Sequence, residues 1–385
     1  MDYAKQFVYG SMPLRLTVGQ WLLTAVLLLV ALLALPRLAA SADAVRPSAD
    51  DRIPYDFSND YWLAERWFAA AARDHDVLLL GDSVVWGEYV APGETLSAEL
   101  NRQCGSAAFA NLGMNGLHPA ALYGLLRYHG AAVRDRDVIL VLNSLWMSSP
   151  RQDLRYVPSA DEDLSERPLN HPAMLPQFWP RIASFGAPFE SRAGVVLERS
   201  LPGLAWISHL RTKGAWYAAR ADGDPAAAEA AVSGPRIDLP QAHPFAALRR
   251  PVPLAENAPH SAPQPWTERG LAATTIPWPA AAESVQWRFF RQAVELLRQR
   301  GNRVLVWVSP FNPYLQTPAG RAAHAAMVHD MVAWLEANQV PVTCGTAPPS
   351  EEYADASHPL APGYARLARE LQGNDVFREW RSRSR

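Results

Sequence analysis

The polarity pattern of this chain opens on a run without charge, LTVGQWLLTAVLLLVALLALP at residues 16–36, broken only by Thr and Gln. A helix needs about 20 such residues to cross a hydrocarbon core of ~30 Å, so residues 16–36 are expected to be a transmembrane anchor. No later run is apolar enough to do the same. A helical pattern follows at 59–73, where Trp62, Leu63, Trp67 and Ala70 recur at helical spacing. Short apolar runs at 77–80, 108–112, 138–142, 304–309 and 340–344 then alternate with amphipathic stretches at 95–102, 119–128, 281–300, 321–338 and 361–372.

Strands alternating with helices imply βαβ units and a parallel sheet buried on both faces. Helix ends agree: Pro119 falls at a first helical position, and Gly301 follows the basic last turn Arg298-Gln299-Arg300. In such sheets ligands bind beyond the carboxyl ends of the strands. Ser83, Gly113 and Asn143 each fall just past a predicted strand, so the sheet would gather them at one edge.

The alternation breaks between 148 and 280, where many prolines and scattered aromatics replace it. That stretch is too long for an ordinary connection. It reads as an insertion after the third strand, either covering the catalytic edge, docking a partner, or forming a surface excursion. A helical pair is expected within it, 191–200 and 203–221, joined at Leu201-Pro202. The expected organisation is a cytoplasmic N-terminus (1–15), the anchor (16–36), a linker (37–57), a first catalytic part (58–147), the insertion (148–280) and a second catalytic part (281–385).

Lys5 and Arg15 precede the apolar run, which favours a cytoplasmic N-terminus and an exported domain after Arg37. The expected location is the inner (cytoplasmic) membrane, single-pass, with the domain on its periplasmic or extracytoplasmic side. The small residues of 39–44 leave a cleaved signal peptide as the alternative. A net charge of −2 with both signs dispersed recommends no polyanion as partner, so no nucleic-acid partner is expected. Cys104 and Cys344 are the only cysteines, and no CxxC or Cys/His ligand spacing occurs, so no metal site is expected. They read as buried free thiols, or as a disulfide if exported.

The chemistry lies in Gly81-Asp82-Ser83, directly after an apolar run, and in Asp355-Ala356-Ser357-His358 far downstream. A serine, an imidazole to take its proton and a carboxylate to orient the imidazole are what nucleophilic acyl transfer requires. In full, Leu-Leu-Leu-Gly-Asp-Ser83-Val-Val-Trp-Gly and Tyr353-Ala-Asp355-Ala-Ser-His358-Pro-Leu-Ala-Pro-Gly363-Tyr364 resemble the SGNH/GDSL hydrolase superfamily. The likeness covers residues 75–148 and 284–372. It implies a three-layer, flavodoxin-like parallel α/β sheet, with Ser83 as nucleophile, His358 as general base and acid, and Asp355 as its orienting acid. It also implies an oxyanion hole built from the Ser83 and Gly113 N–H groups, Gly113 lying in Asn111-Leu-Gly-Met-Asn115-Gly116. The third block departs from the family's Gly-x-Asn-Asp: here Asn143-Ser144-Leu145-Trp146 follows the strand, and Asn143 stands in as the remaining oxyanion donor.

The layout, with Val306-Trp-Val-Ser-Pro310-Phe-Asn312-Pro after the fourth strand, is similar to membrane-anchored SGNH proteins of envelope-polymer acylation, including the D-alanyl-lipoteichoic acid biosynthesis proteins. What this implies is an anchored serine esterase or O-acyltransferase acting on acyl esters, acetyl above all, of a cell-surface polysaccharide. The implied partner is a membrane-bound O-acyltransferase, and no cofactor is implied. A binding or assembly factor without turnover and a membrane-tethered lipase remain alternatives. Trp86, Trp146 and His118 lie close enough to the expected site to contact substrate, with core packing as the competing fate. Asp82 is expected to organise the turn, and His324 and His329 to be structural or solvated. Arg211, Lys213 and Arg220 among Trp206, Trp216 and Tyr217 are expected on a solvated face, with lipid headgroups or a partner as the alternative contact.

Overall fold

The computed structural model describes residues 16–39, 45–156, 189–221, 247–248, 250–253 and 264–383. The apolar runs become five parallel strands: β1 Val77–Gly81, β2 Phe109–Gly113, β3 Asp137–Leu142, β4 Arg303–Val308 and β5 Val342–Cys344. Their order is β2-β1-β3-β4-β5. The chain thus winds to one side of β1 and then to the other, opening a crevice beyond the carboxyl ends of β1 and β3.

Period-two alternation divides the strand residues between two cores. Leu78, Leu80, Val138, Leu140, Val304 and Val306 face the helices Tyr61–Asp74 (α2), Pro119–Tyr128 (α5), Val285–Gln299 (α8) and Pro318–Ala337 (α9). Val77, Leu79, Ile139, Val141 and Leu305 face Leu96–Cys104 (α4), Ala361–Gly373 (α10) and Asp375–Ser382 (α11). Each fully buried leucine contributes roughly 2 kcal/mol of transfer free energy. The result is a sheet covered by helices on both faces.

Local signals set the helix ends. Asp60 caps α2 by accepting from Leu63 N, Thr95 caps α4, Ser284 caps α8 and Thr317 caps α9. The stretch expected as one helix over 281–300 is divided by Ser284 into a 3-10 turn, Ala281–Glu283, and α8. Two helices lay outside the sequence expectation: the single turn Ser83–Trp86 (α3) and the C-terminal α11.

The apolar N-terminal run forms Val18–Ala39 (α1). It is the one described helix long and apolar enough to cross a membrane. The expected linker 37–57 is largely not one. From Val45 onward the chain lies on the domain: Ala49, Ile53 and Phe57 are buried, and Ala49 O accepts from Asn111 N at the sheet edge. Both cysteines are free as expected, but they are exposed rather than buried.

Within the insertion, Phe189–Ser200 (α6) and Pro202–Ala221 (α7) form the expected helical pair. Trp206, Leu210 and Lys213 of α7 are buried, which removes Trp206 and Lys213 from the expected solvated face. Arg211 is exposed as expected. The insertion leaves the domain beside Asp153, a buried carboxylate that accepts from Gln286 N at 3.1 Å and from Ser284 Oγ.

Candidate active site

Ser83 is the first residue of α3, placed there by β1 ending at Gly81 and by Asp82 acting as the helix cap. Asp82 Oδ1 accepts from Val84 N at 3.0 Å. A one-turn helix leaves its carbonyls without intrahelical partners, and here distant side chains supply them. Val84 O accepts from Tyr364 Oη at 2.8 Å, and Val85 O accepts from Asn111 Nδ2 at 2.9 Å. Trp86 O and Gly87 O both accept from Arg52 Nη1, at 2.8 and 2.6 Å, while Arg52 Nη2 reaches Val90 O at 2.9 Å. Arg52 is fully buried, with its guanidinium 4.0 Å from the Trp86 ring centroid. The segment ahead of the domain therefore braces the turn that carries Ser83, and nothing in the local pattern of 45–57 announces it.

Ser83 Oγ lies 2.7 Å from His358 Nε2 although 275 positions separate them in the chain. On the other side of the ring, His358 Nδ1 is 2.8 Å from both carboxylate oxygens of Asp355. Asp355 Oδ1 also accepts from the backbone N–H groups of Ser357 and His358, each at 3.0 Å, which folds the loop into a tight turn. Asn312 holds this loop from β4's end: its N–H donates to Ala356 O at 2.8 Å and its Nδ2 to Asp355 O at 3.0 Å. All three groups of the expected relay are thus brought together.

Electrostatics bias the imidazole strongly. Burial alone disfavours the imidazolium, but the Asp355 carboxylate outweighs it, followed by Asp82 and Glu88, and His358 is raised to about 9. Burial likewise works against ionised Asp355, yet His358 and two backbone donors hold it down at about 2. The ring of Tyr89, a residue at φ +66°, meets the His358 ring edge-on with centroids 5.5 Å apart.

The remaining expected residues fare differently. The Gly113 N–H is already taken by Asn111 Oδ1 at 2.9 Å. What position 113 requires is the absence of a side chain, since a Cβ there would stand 2.2 Å from Trp86 N. Asn143 Nδ2 donates to Asp82 Oδ2 at 2.7 Å, and Trp146 Nε1 donates to the same oxygen at 2.7 Å. Both therefore hold the buried Asp82 carboxylate in place. Burial pushes that carboxyl above its ordinary value, opposed by the nearby His358 and these donors. Trp86 is 1 % exposed, with Nε1 donating to Ile53 O at 2.6 Å, so it packs in the core and meets no substrate. His118 is fully buried and caps α5 by accepting from Ala121 N.

The backbone N–H groups of Ser83 and Gly116 donate to nothing among the described residues. Ser83 N–H belongs to the first turn of a helix and has no intrahelical partner. Gly116 N–H is buried at φ +72° and makes no hydrogen bond among the described residues. The sequence pattern points to Gly113 and does not single out Gly116. The signal that distinguishes them is position, because the second glycine of Asn-Leu-Gly-Met-Asn-Gly lies beyond the strand, in the loop.

A second serine–imidazole pair adjoins the site. Ser144 Oγ is 2.8 Å from His324 Nε2. The His324 ring forms a triangle with Trp278 and Phe311, at centroid distances of 4.6 and 5.6 Å, and burial lowers His324 to about 4. No group of three or more His, Cys, Asp or Glu suited to a metal ion occurs among the described residues. Comparison with protein-family models and with curated proteins finds no match, so the site is read from its own geometry.

Proposed function

We propose that this chain is a membrane-anchored serine esterase or O-acyltransferase of SGNH type, acting on acyl esters of a cell-surface polysaccharide outside the cytoplasmic membrane. The observation that carries the reading is the continuous relay Ser83 Oγ–His358 Nε2, His358 Nδ1–Asp355, with 2.7 and 2.8 Å contacts. Ser83 Oγ attacks the acyl carbonyl carbon and passes its proton to His358 Nε2. The oxyanion develops toward the open N–H groups of Ser83 and Gly116, each such donor being worth about 3 kcal/mol in the transition state. The imidazolium is stabilised by Asp355, Asp82 and Glu88, and it returns the proton to the departing sugar oxygen. The acyl group then resides on Ser83, and a second acceptor removes it. Water gives hydrolysis; a sugar hydroxyl gives transfer, with a membrane-bound O-acyltransferase as the expected neighbour in the pathway.

The raised His358 dictates the pH response. Only the neutral imidazole accepts the Ser83 proton, so the rate climbs with pH toward an apparent pKa well above 6.5. The test is covalent labelling by a fluorophosphonate together with hydrolysis of a chromogenic acetate ester. Labelling at Ser83, and turnover lost in Ser83→Ala, are the expected results; unlabelled, folded wild-type protein would overturn the reading. One observation favours the rival, a binding or assembly factor: Asn143 is committed to Asp82, leaving no side-chain donor assigned to the oxyanion. That rival predicts polymer binding with no turnover of any acetyl ester.

A further inference from the structure

The apolar span of α1, Val18–Arg37, contains 20 residues. At 1.5 Å per residue it measures about 30 Å, the full thickness of a hydrocarbon core. A span with so little to spare puts whatever packs against its last turns at membrane depth. Residues 18–30 of the helix are exposed, whereas Ala31, Leu32, Leu33 and Ala34 are partly covered and Pro36 is buried.

The element that covers them is α7 of the insertion. At Gly203 a Cβ would stand 2.4 Å from Leu32 O and 2.6 Å from Leu32 Cα. The two backbones are therefore in direct contact, an approach that only glycine permits. Leu32 precedes Arg37 by five positions, about 7 Å along the axis. Arg37 marks the polar boundary, its Nη1 turning back to Leu33 O at 2.8 Å. Gly203 thus lies inside the hydrocarbon boundary. The α6–α7 corner around it, Leu201-Pro202-Gly203-Leu204-Ala205, carries no charge. Leu197, one turn before the corner, is 53 % exposed, and Pro202 is exposed as well. An exposed leucine is ordinary in water; at this depth its surroundings are acyl chains.

We propose that the uncharged turn of the α6–α7 corner, residues 201–204 with Leu197 beside it, inserts into the outer leaflet next to α1 as a second, monotopic contact with lipid, while Arg199 stays on the domain with its guanidinium 3.9 Å from the Tyr128 ring. The inference rests on the reading of α1 as the membrane anchor. The far end of α7 is fastened to the catalytic domain. Trp206 and Leu210 pack with Trp62 of α2, and the buried His209 Nδ1 lies 2.6 Å from Asp60 Oδ2. The other Asp60 oxygen caps α2 at Leu63 N, 2.9 Å away. Lipid contact is thereby transmitted to the helix that packs beneath β1. The domain is held against the membrane surface in one orientation instead of swinging from a single anchor.

The test uses the full chain in vesicles of phosphatidylcholine and phosphatidylglycerol, with Cys104→Ser and Cys344→Ser removing the native thiols. Single cysteines at Leu197→Cys, Pro202→Cys, Leu28→Cys in α1 and Asp375→Cys in α11 carry an environment-sensitive fluorophore. Quenching is then compared between lipids spin-labelled high on the acyl chain and aqueous iodide. The expected result is several-fold stronger lipid than iodide quenching at 28, 197 and 202, and the reverse at 375. Iodide quenching at 197 and 202 with lipid quenching at 28 overturns the inference and leaves the anchor standing. Iodide quenching at 28 overturns the anchor and the inference with it. Two independent corner probes guard against one substitution disturbing the fold.

Discussion

Two serine–imidazole pairs sit side by side at the carboxyl edge of the sheet, with nearly equal contacts: 2.7 Å for Ser83–His358 and 2.8 Å for Ser144–His324. Distance does not tell them apart; surroundings do. His358 is flanked by Asp355 and lies in the field of Asp82 and Glu88, which together overcome burial and raise it to about 9. His324 packs against Trp278 and Phe311 with no carboxylate against it among the described residues, and burial lowers it to about 4. The first ring is built to carry a proton and the second to stay neutral. A hydroxyl beside an imidazole is therefore a reactive constellation only where a third group stabilises the cation that forms.

The contrast breaks most sharply at the hydroxyls. Ser83→Ala should lower kcat on a chromogenic acetate by at least about 10⁴-fold, since a triad without its nucleophile retains little beyond binding. Ser144→Ala in the same assay marks the other extreme, and equal losses in the two variants would erase the distinction.

Asp355→Asn comes next, with an expected fall of about 10⁴-fold in kcat. It also removes the largest influence that raises His358, so the acid limb of kcat/KM should move to lower pH. The stability consequence has a definite sign. A histidine raised in the folded state stabilises fully below its unfolded pKa near 6.5, and that contribution disappears as pH rises through about 9. Asp355, depressed to about 2, stabilises above its unfolded value and loses this as pH falls through its folded one. Urea unfolding from pH 6 to pH 9.5 should thus show wild type losing more stability than Asp355→Asn.

Arg52→Met should follow, because it strips the donor shared by the Trp86, Gly87 and Val90 carbonyls while keeping a long apolar stem. Leaving buried carbonyls unpaired costs about 3 kcal/mol in total, measurable by chemical denaturation. If stability is unchanged, the bracing role given to the 45–57 segment is wrong. Gly113→Ala belongs with it: a Cβ 2.2 Å from Trp86 N meets backbone that cannot yield, and about 3 kcal/mol of destabilisation is expected.

Ser144→Ala should have the smallest effect. It leaves the His324 Nε2 short of its partner, costing about 1 kcal/mol of stability, and should change kcat by less than about tenfold, or 1.4 kcal/mol of barrier. Fluorophosphonate labelling at Ser144 in the Ser83→Ala background would show that the aromatic enclosure does not silence the second pair.

Much of this was legible in the chain. The apolar runs at 77–80 and 138–142 became β1 and β3 because residues buried on both sheet faces must be apolar at every position. The Ser83 turn and the Asp-x-x-His element that meets it were legible because a strand end, a cap and a turn leave local residue patterns. Donor assignments were not. Gly113 and Asn143 stand where oxyanion donors were expected, yet the first is engaged by Asn111 and the second by Asp82. A hydrogen bond's second partner comes from another element, and no local pattern records it.

The sequence by itself determined the alternation of strands and helices, the apolar N-terminal helix and the identity of the three groups in the relay. Each follows from short-range periodicity or from residue chemistry that survives in any fold. Tertiary structure alone decided that Arg52 braces the Ser83 turn, that Gly113 N–H is engaged while Gly116 N–H has no partner among the described residues, and that α7 meets the end of α1. Those outcomes depend on which distant surfaces exclude water from one another, and burial and charge at a point in space are sums over neighbours the chain order does not reveal.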